Sequence, residues 1–200
     1  MDSQLKIDFD KNKIDYQRKG ISKKDLLARA VGIKSTGLRV LDLTAGLAID
    51  AVHLARLGCQ VTSLERNPQV FLLLQEAWAK TERSEIKSIR FIHADAQKYL
   101  FECAEKVKDD FDVIYYDPMY PEKKKKSLPR KEMQVFRDWV GDDLDADEVI
   151  EVGLKSLIRR FVIKRPLKSP LHKTSAEGFH AHLLKGTTVQ YQIYTRGKNE

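Results

Sequence analysis

The sequence predicts an α/β fold with a mainly parallel sheet, and two features of the chain support this prediction. Short apolar segments alternate with segments of helical period through most of the 200 residues. Near the end, residues 179–184 and 188–194 flank the pair Lys185-Gly186, a pattern typical of an antiparallel hairpin. A chain of this length suits one domain with a substantial core. We therefore expect a single domain over residues 21–200, preceded by an N-terminal arm over residues 1–20 that lies outside the core.

Five short segments have the composition of strands that are buried on both faces. They are rich in β-branched, aromatic and leucine residues, which suit the pleated surface of a buried sheet. In chain order the predicted strands are Leu38–Leu43, Gln60–Glu65, Ile89–His93, Phe111–Tyr116 and Phe161–Lys164. With the two strands of the hairpin, they predict a sheet of seven strands.

Segments of helical period separate these strands. The predicted helices are Asp50–Leu57, a helix that begins at Asn67-Pro68, Ala96–Glu105, Arg130–Val140 and Asp145–Ser156. Gly58 is placed to end the first of them in a left-handed cap. Asn67 and Pro68 suit the N-cap and the first helical position of the second. In that helix the spacing i, i+3, i+4, i+7 predicts an apolar face made of Val70, Leu73, Leu74 and Ala77.

Together these elements match the sheet of the class I methyltransferases that depend on S-adenosylmethionine, a Rossmann-like fold. That fold has seven strands, and its last strand runs antiparallel to the others. The second strand of the predicted hairpin would take this reversed position. A fold does not by itself establish an activity, so the function has to be argued from the residues at the strand ends.

Charge is distributed unevenly along the chain, which carries 36 basic and 29 acidic residues and a net charge of +7. Residues 118–131 contain six bases against one acid, and residues 158–176 contain six bases and no acid. Residues 142–151 contain six acids and no base. Clustering of this kind favours a surface that binds a polyanion such as RNA, although a solvated lysine loop would also produce it.

Other features exclude several classes of protein. No stretch approaches the roughly 20 apolar residues that a membrane helix needs. The N-terminus lacks the apolar segment of a secretory signal. The two cysteines, Cys59 and Cys103, are not spaced as metal ligands. We therefore expect a cytoplasmic protein with reduced cysteines, no metal and no membrane contact.

Acidic side chains follow the predicted strands at the edge where an open α/β sheet binds its ligands. The first strand leads through Asp42 into a turn where Gly46 would allow the backbone to approach a ligand closely. Glu65 ends the second strand 19 residues after Gly46, a spacing at which an acid accepts hydrogen bonds from ribose hydroxyls. Asp95 follows the third strand and could accept from an adenine amino group, with the backbone of Ala96 beside it. The arrangement predicts a nucleoside ligand.

Each of these acids also has a structural interpretation. Asp50 starts the first predicted helix, so it could contact the methionine end of the ligand or stabilise the helix dipole. Glu65 could be a surface residue that precedes the next helix. Asp95 could be an N-cap, and it could serve in both roles.

The tetrapeptide Asp117-Pro118-Met119-Tyr120 follows the fourth predicted strand. It resembles the Asp/Asn-Pro-Pro-Tyr/Phe motif of methyltransferases that act on planar nitrogens, with Met119 in place of the second proline. An aromatic amino group is a poor nucleophile because its lone pair is delocalised. The carboxylate of Asp117 and the carbonyl of Pro118 could accept from that group and hold it for in-line transfer. Tyr120 would stack on the extruded base.

Beyond this motif, the chain resembles a named family, the bacterial 16S rRNA guanine-N2 methyltransferases known as the J family. The resemblance begins at about Ile7, and its most specific carriers are Glu65-Arg66-Asn67-Pro68 and Asp117-Pro118-Met119-Tyr120-Pro121. The other carriers are residues 29–34, Asp42, residues 44–47, Asp50-Ala51, residues 131–133, residues 145–147 and residues 162–166.

The resemblance implies an enzyme that transfers a methyl group from S-adenosylmethionine to the exocyclic N2 of a guanine in 16S rRNA. The contacts with S-adenosylmethionine that it implies are Ile49, Asp50, Glu65, Arg66, Asp95, Ala96 and Asp117. Asp42 and Gly46, from the loop after the first strand, complete the predicted cofactor set. The expected partner is 16S rRNA or the small ribosomal subunit.

The basic segments after the fourth and fifth strands should flank the catalytic turn, where they could bind RNA phosphates. The predicted RNA-binding residues are Lys123, Lys124, Lys125, Lys126, Arg130, Lys131, Lys164 and Arg165. Two other functions stay open at this point. One is a methyltransferase of a protein glutamine or a small amine, and the other is a non-catalytic RNA-binding protein of the same fold.

Overall fold

The computed structural model describes residues 6–10, 25–120, 131–156, 158–173 and 178–197. Within these ranges seven strands form one sheet, in the order β3-β2-β1-β4-β5-β7-β6. The strands are β1 (Arg39–Asp42), β2 (Gln60–Glu65), β3 (Arg90–His93), β4 (Val113–Tyr116), β5 (Arg160–Pro166), β6 (Phe179–Lys185) and β7 (Val189–Arg196).

The pairing of the strands confirms the predicted fold class. Strands β1 to β5 pair in parallel, whereas β7 lies between β5 and β6 and runs antiparallel to both. On one side of β1 the chain continues to β2 and β3, and on the other side it continues to β4 and β5. The carboxyl ends of β1 and β4 therefore border the point where the strand order reverses, which is where open α/β sheets bind ligands.

Helices connect the strands and cover both faces of the sheet. They are α1 (Leu26–Val31), α2 (Ile49–Arg56), α3 (Pro68–Lys80), α4 (Ser84–Lys87), α5 (Ala96–Glu102), α6 (Ala104–Asp110), α7 (Lys131–Val140) and α8 (Ala146–Lys155). As predicted, the side chain of Asn67 caps α3 by accepting from the backbone N–H groups of Gln69 and Val70. Gly58, which follows α2, has the positive φ of +87° expected of a left-handed cap.

Four short helices differ from the predictions. The helix predicted over Ala96–Glu105 is interrupted at Cys103, whose ψ of 17° is not helical, so the segment forms α5 and α6. The helices α1 and α4 were not predicted, because six and four residues are too few to show a helical period. Asp25 and Gly32 nevertheless cap α1 at its two ends, and an aspartate and a glycine at this separation are the local features of the sequence that indicate the helix.

The hydrophobic core consists of two layers, one on each face of the sheet. Neighbouring residues of β1 show this division, since Val40 and Leu41 are both fully buried. Val40 packs with residues of α2 and α3 such as Leu54 and Leu74. Leu41 packs with residues of α5 and α8, including Leu100. Burial on both faces explains why the parallel strands read as continuous apolar runs in the sequence.

The described part of the N-terminal arm corrects one expectation, because it does not lie outside the core. Ile7 and Phe9 are 5% and 1% exposed and belong to the same core layer as α2 and α3. The Phe9 ring stacks on Phe91 of β3, with 6.5 Å between ring centroids. Arg83 donates to the carbonyl oxygen of Phe9 at 3.1 Å, and Thr81 donates to the carboxylate of Asp10 at 2.8 Å. Burial of the two apolar side chains holds this segment against the domain.

No helix among the described residues is both long and apolar enough to cross a membrane. The same residues contain no group of three or more histidines, cysteines or acids that could hold a metal ion.

Candidate active site

A cavity of about 550 Å³ opens at the carboxyl edge of the sheet, above β1, β2 and β4. Six residues predicted to contact the cofactor line it together, namely Gly46, Glu65, Arg66, Asp95, Ala96 and Asp117. Because they come from four separate loops, the parallel sheet is what brings them to one place.

Glu65 is the central acid of this cavity. Its side chain is 6% exposed, and each of its two oxygens accepts one backbone hydrogen bond. Oε2 accepts from Gly46 N at 2.9 Å, and Oε1 accepts from Asn67 N at 2.8 Å. Burial raises the pKa of Glu65, and the two hydrogen bonds oppose that rise. A carboxylate has about four acceptor positions, so it can still accept from the hydroxyls of a ligand.

The turn after β1 passes close to the opposite wall of the cavity. Gly46 has a φ of +51°, in the left-handed region that favours glycine. A Cβ at this position would lie 3.3 Å from the Phe136 ring of α7. The sequence therefore needs glycine here for its backbone conformation as well as for the space that it leaves.

Asp95 serves as the N-cap of α5 and also lines the cavity. Its Oδ1 accepts from the backbone N–H of Lys98 at 3.0 Å. The structural interpretation of Asp95 is thus confirmed, and its place in the cavity leaves the cofactor role open. Ala96, beside it, contributes to the apolar wall of the same cavity together with Leu64 and Val149.

These residues form a chemically suitable site for S-adenosylmethionine. Apolar side chains next to Asp95 suit an adenine ring, and the buried carboxylate of Glu65 suits a ribose. Gly46 lines the same cavity, so its backbone can approach the ligand without an intervening side chain.

Arg66, which was predicted to contact the cofactor, already has acidic partners. Its guanidinium pairs with Asp143, and it bonds Asp145 at 3.1 Å. Asp143 also accepts from the backbone N–H of Met119 at 2.6 Å, and its own N–H donates to the Met119 carbonyl at 2.9 Å. Arg66 therefore ties β2 to the residues that hold the predicted catalytic turn.

Asp42 occupies a different place from the one predicted. It is 1% exposed and lies beneath the turn, where its carboxylate accepts from Ser63 Oγ at 2.6 Å and from Thr44 N at 3.0 Å. We interpret this residue as a support for the loop, because its oxygens are engaged below the cavity.

We expect the Asp42→Asn variant to differ from the wild-type protein in the pH dependence of its unfolding free energy. Burial raises the pKa of Asp42 from 3.8 to about 7, against the hydrogen bonds from Ser63 and Thr44. A folded state with a raised carboxyl pKa gains stability from this group below about pH 4 and loses it as the pH rises through about 7. The loss amounts to about 4 kcal/mol at most. Asparagine cannot ionise, so the variant should gain stability relative to the wild type across this window.

Denaturant unfolding at several pH values between about 4 and 8 measures this difference. Asp110→Asn, at the exposed last position of α6, is the matched control and should follow the wild-type curve. If the unfolding free energies of Asp42→Asn and the wild type change with pH in parallel, Asp42 does not titrate in this window.

Ile49 and Asp50 lie away from the first cavity. They line a second cavity of about 1050 Å³, between α1, α2 and the turn that joins β6 to β7. Asp50 Oδ2 accepts from Tyr115 Oη at 2.5 Å and from Lys164 Nζ at 2.6 Å. Lys164 Nζ also lies 2.8 Å from Asp117 Oδ2, so this lysine joins the edges of the two cavities.

Lys164 thereby corrects a prediction, since it was expected to bind RNA phosphates. Its side chain is 22% exposed and its ammonium group is held by two carboxylates, Asp50 and Asp117. The charge cluster in the sequence suggested an exposed base, but a lysine within an interior strand of the sheet is largely buried and needs acidic partners.

The neighbouring Arg165 also departs from the predicted role. It is 6% exposed, and its guanidinium carbon lies 4.8 Å from the centre of the Tyr120 ring. Tyr120 was predicted to stack on a base, but Arg165 covers one face of its ring in this structure. Two arginine nitrogens, Nε and Nη1, and the Tyr120 hydroxyl are buried without a hydrogen-bond partner among the described residues.

The predicted catalytic turn lies where the sequence placed it, directly after β4. The backbone N–H of Asp117 donates to Thr44 Oγ1 at 2.9 Å, which joins the turn to the loop after β1. Pro118 is buried and Asp117 is partly exposed in the cavity wall. Of the remaining predicted RNA-binding residues, Lys123, Lys124, Lys125, Lys126 and Arg130 lie outside the described residues, as does the side chain of Lys131.

Three residues of this site were given no role by the sequence. Thr44 accepts from the backbone of Asp117, and Tyr115 donates to the carboxylate of Asp50. Asp143 accepts from the backbone of Met119. Thr44 stands in the loop after β1, among the residues that carry the family resemblance, and Tyr115 lies one residue before the end of β4, so both offered a weak signal. Asp143 offered none, because its contact joins segments that are 24 residues apart.

Comparisons with known proteins extend this description. A family model of SAM-dependent methyltransferases matches residues 1–196. Ribosomal RNA small subunit methyltransferase J from Bdellovibrio bacteriovorus is 42% identical over 194 residues, which covers 96% of this chain and 75% of that protein. The protein of the same name from Coxiella burnetii is 42% identical over 196 residues, with coverage of 95% and 74%.

Solved structures show the same fold. A SAM-dependent methyltransferase from Neisseria gonorrhoeae superposes with a TM-score of 0.69 at 25% identity, covering 100% of this chain and 78% of that one. TrmN from Thermus thermophilus superposes with a TM-score of 0.55 at 20% identity, covering 92% of this chain and 52% of that one. At this identity the likeness to TrmN concerns the fold alone.

Proposed function

Since this chain belongs to the family of ribosomal RNA small subunit methyltransferase J, we propose that it methylates the exocyclic N2 of a guanine in 16S rRNA. The methyl donor is S-adenosylmethionine, in agreement with the family model that matches nearly the whole chain. The cytoplasm, where small ribosomal subunits are made, is the compartment that this proposal implies.

One observation carries the chemical part of the proposal. Asp117 lines the predicted cofactor cavity and belongs to the turn that resembles the motif for planar nitrogens. Its backbone is fixed by Thr44, and the following segment is fixed by Asp143. A carboxylate held in this way beside the cofactor can accept from an amino group and keep it in place for attack.

S-adenosylmethionine supplies a methyl group that is activated by its bond to a positively charged sulfur. The lone pair of guanine N2 forms the new N–C bond while the C–S bond breaks and its electron pair stays on sulfur. N2 then carries a positive charge and releases one proton to solvent. Asp117 and the carbonyl of Pro118 are proposed to hold the two N–H bonds so that the lone pair faces the methyl carbon.

The other predicted residues support binding in this proposal. Glu65 accepts from the ribose, Asp95 and Ala96 lie beside the adenine, and the Gly46 turn surrounds the middle of the donor. Ile49 and Asp50 would lie near the methionine end, at the second cavity.

Methyl transfer to small ribosomal subunits tests the proposal. Subunits from a strain that lacks this enzyme are incubated with the purified protein and labelled S-adenosylmethionine, and mass spectrometry locates the product. We expect one N2-methylguanine in 16S rRNA. Labelling of protein alone would favour the protein-glutamine alternative, and RNA binding without transfer would favour the non-catalytic one.

Replacing Lys123, Lys124, Lys125 and Lys126 by glutamine should weaken RNA binding and reduce its salt dependence. Each phosphate contact with single-stranded RNA contributes a slope of about −0.7 to the plot of log affinity against log salt. Loss of four contacts should therefore flatten this slope by up to about 3. The measurement is a binding titration at several salt concentrations.

The matched control replaces four exposed lysines of the helices by glutamine, namely Lys80, Lys98, Lys106 and Lys155. It has the same net charge as the test variant. Equal slopes for the two variants would show that the lysine run makes no specific contact with RNA.

A further inference from the structure

Lys164 lies between two acids of the site, and neither the family resemblance nor the comparisons give it a role in the reaction. It belongs to β5, which pairs with β4 so that Ile163 lies opposite Tyr116. The next residues along these strands, Lys164 and Asp117, therefore lie side by side at the edge of the sheet. Their side chains meet with 2.8 Å between Nζ and Oδ2.

A second acid holds the other side of this ammonium group. Asp50, in the first turn of α2, lies 2.6 Å from Lys164 Nζ through its Oδ2. Tyr115 Oη donates to the same oxygen at 2.5 Å. Two carboxylates thus share one ammonium group, and the Asp50 carboxylate also accepts a second side-chain hydrogen bond, from Tyr115.

From this arrangement we infer that Lys164 is a positioning residue for methyl transfer, which keeps Asp117 ionised and oriented toward the amino group of the acceptor. The inference rests on the proposed function, because it concerns how Asp117 performs its role there. Lys164 itself need not touch the acceptor, since it acts through the carboxylate of Asp117.

The balance of charge explains why the lysine is needed. Burial raises the pKa of Asp117 and Lys164 opposes this rise, whereas Asp50 adds to it. Burial alone would lower the pKa of Lys164, but the two carboxylates outweigh it and raise that pKa well above its usual range. Without the ammonium group, two neighbouring carboxylates would repel each other in a partly buried place, which favours uptake of a proton by the pair. A protonated Asp117 has lost part of its capacity to accept from an amino group.

Other ionisable groups face this cluster and belong to any account of its titration. They are His53 on α2, Tyr115 on β4, Tyr191 on β7, and the acids Asp25, Asp42 and Asp143. Two of these acids have basic partners of their own, since Asp25 pairs with His53 and Asp143 pairs with Arg66. Lys164 is the base that directly contacts both Asp50 and Asp117 among the described residues.

The test compares the pH profile of kcat for the wild-type protein, Lys164→Met and Lys164→Arg, with small subunits as the acceptor. We expect Lys164→Met to lower kcat by about tenfold or more at pH 7 and to recover part of it as the pH rises, because Asp117 then ionises. Lys164→Arg keeps the positive charge, so the acidic limb of its kcat–pH profile should lie at the same pH as that of the wild type. Lys155→Met, at an exposed position on α8, is the matched control and should behave as the wild type does.

A double variant separates charge from shape. Adding Asp50→Asn to Lys164→Met removes the second carboxylate, so the acidic limb should move back toward that of the wild type. Infrared spectroscopy gives a second readout that needs neither donor nor acceptor. At pH 7, Lys164→Met should gain a carboxylic-acid C=O band in addition to the Asp42 band that the wild type also shows, and the double variant should lose this added band.

Each outcome decides the inference. An acidic limb that stays in place in Lys164→Met, with no new infrared band, would overturn it, as would equal shifts in the methionine and arginine variants. If Lys164→Met does not fold by thermal melting, Lys164→Gln is measured in the same way and decides by the same criteria. Failure of the wild type to methylate any subunit would instead refute the proposed function, and the infrared result would still report on the pair.

Discussion

The Asp117→Ala variant should lose methyl transfer while keeping its fold and its binding of S-adenosylmethionine within a few-fold. The carboxylate is the group proposed to hold the acceptor amino group in the geometry for attack, and alanine cannot accept a hydrogen bond. Removing one such electrostatic contact typically lowers kcat by about 100- to 1000-fold. We expect a loss of at least that size, because Asp117 also anchors the ammonium group of Lys164.

Single-turnover transfer to small subunits measures this loss, and calorimetry with S-adenosylmethionine reports on donor binding. The matched control is Asp110→Ala, an exposed acid just before the amino end of the same strand, β4. A turnover near that of the wild type in Asp117→Ala would show that another group holds the acceptor. A loss of donor binding as large as the loss of turnover would show that Asp117 acts on the cofactor alone.

The Glu65→Gln variant should have the second large effect, on affinity for S-adenosylmethionine. Its two oxygens each accept a backbone N–H group, from Gly46 and from Asn67. Glutamine replaces one oxygen by an NH2 group, which would face one of these donors. It also removes the charge that strengthens hydrogen bonds from ribose hydroxyls. Hydrogen bonds to a charged group contribute about 1.5–3 kcal/mol, so affinity should fall by about 10- to 100-fold.

Calorimetric titration gives the dissociation constant directly. Glu76→Gln, at an exposed position on α3, makes the same chemical change on the surface and should leave the affinity unchanged. An unchanged affinity in Glu65→Gln would place the ribose elsewhere in the cavity. Since Glu65 also holds the Gly46 turn, the melting temperature is measured in parallel, and a fall that saturating donor does not reverse would indicate a purely structural role.

The framework of the fold could be predicted because each strand and long helix carries its own local signal. Strand β2 was predicted with the bounds that it has, and Asn67 caps α3 as expected. Phe9 was not predicted to be buried, because two apolar residues around one aspartate form too short a pattern to indicate a core position. Its burial depends on Phe91, which is far away in the sequence.

The site was predicted less completely, for a physical reason that Lys164 illustrates. A run of basic residues predicts an exposed surface only if none of them has a buried partner. Along β5, however, side chains alternate between the two faces of the sheet, so Lys164 and Arg165 meet different surroundings. Lys164 meets Asp50 and Asp117, and Arg165 meets Tyr120. Such partners are set by the pairing of strands, which the local sequence does not encode.

The two hydrogen bonds between Met119 and Asp143 have a consequence for how this protein can diversify. The chain leaves the catalytic turn after residue 119 and returns to the same point at residue 143. The connection between them therefore begins and ends at two residues that are hydrogen-bonded to each other, and it includes the lysine run and α7. Making a flexible connection longer costs little closure entropy, about 0.6 kcal/mol for each doubling of its length. Related proteins could thus lengthen, shorten or exchange the part of this connection that precedes α7 to suit a different nucleic acid, while α7 and the reacting groups keep their places.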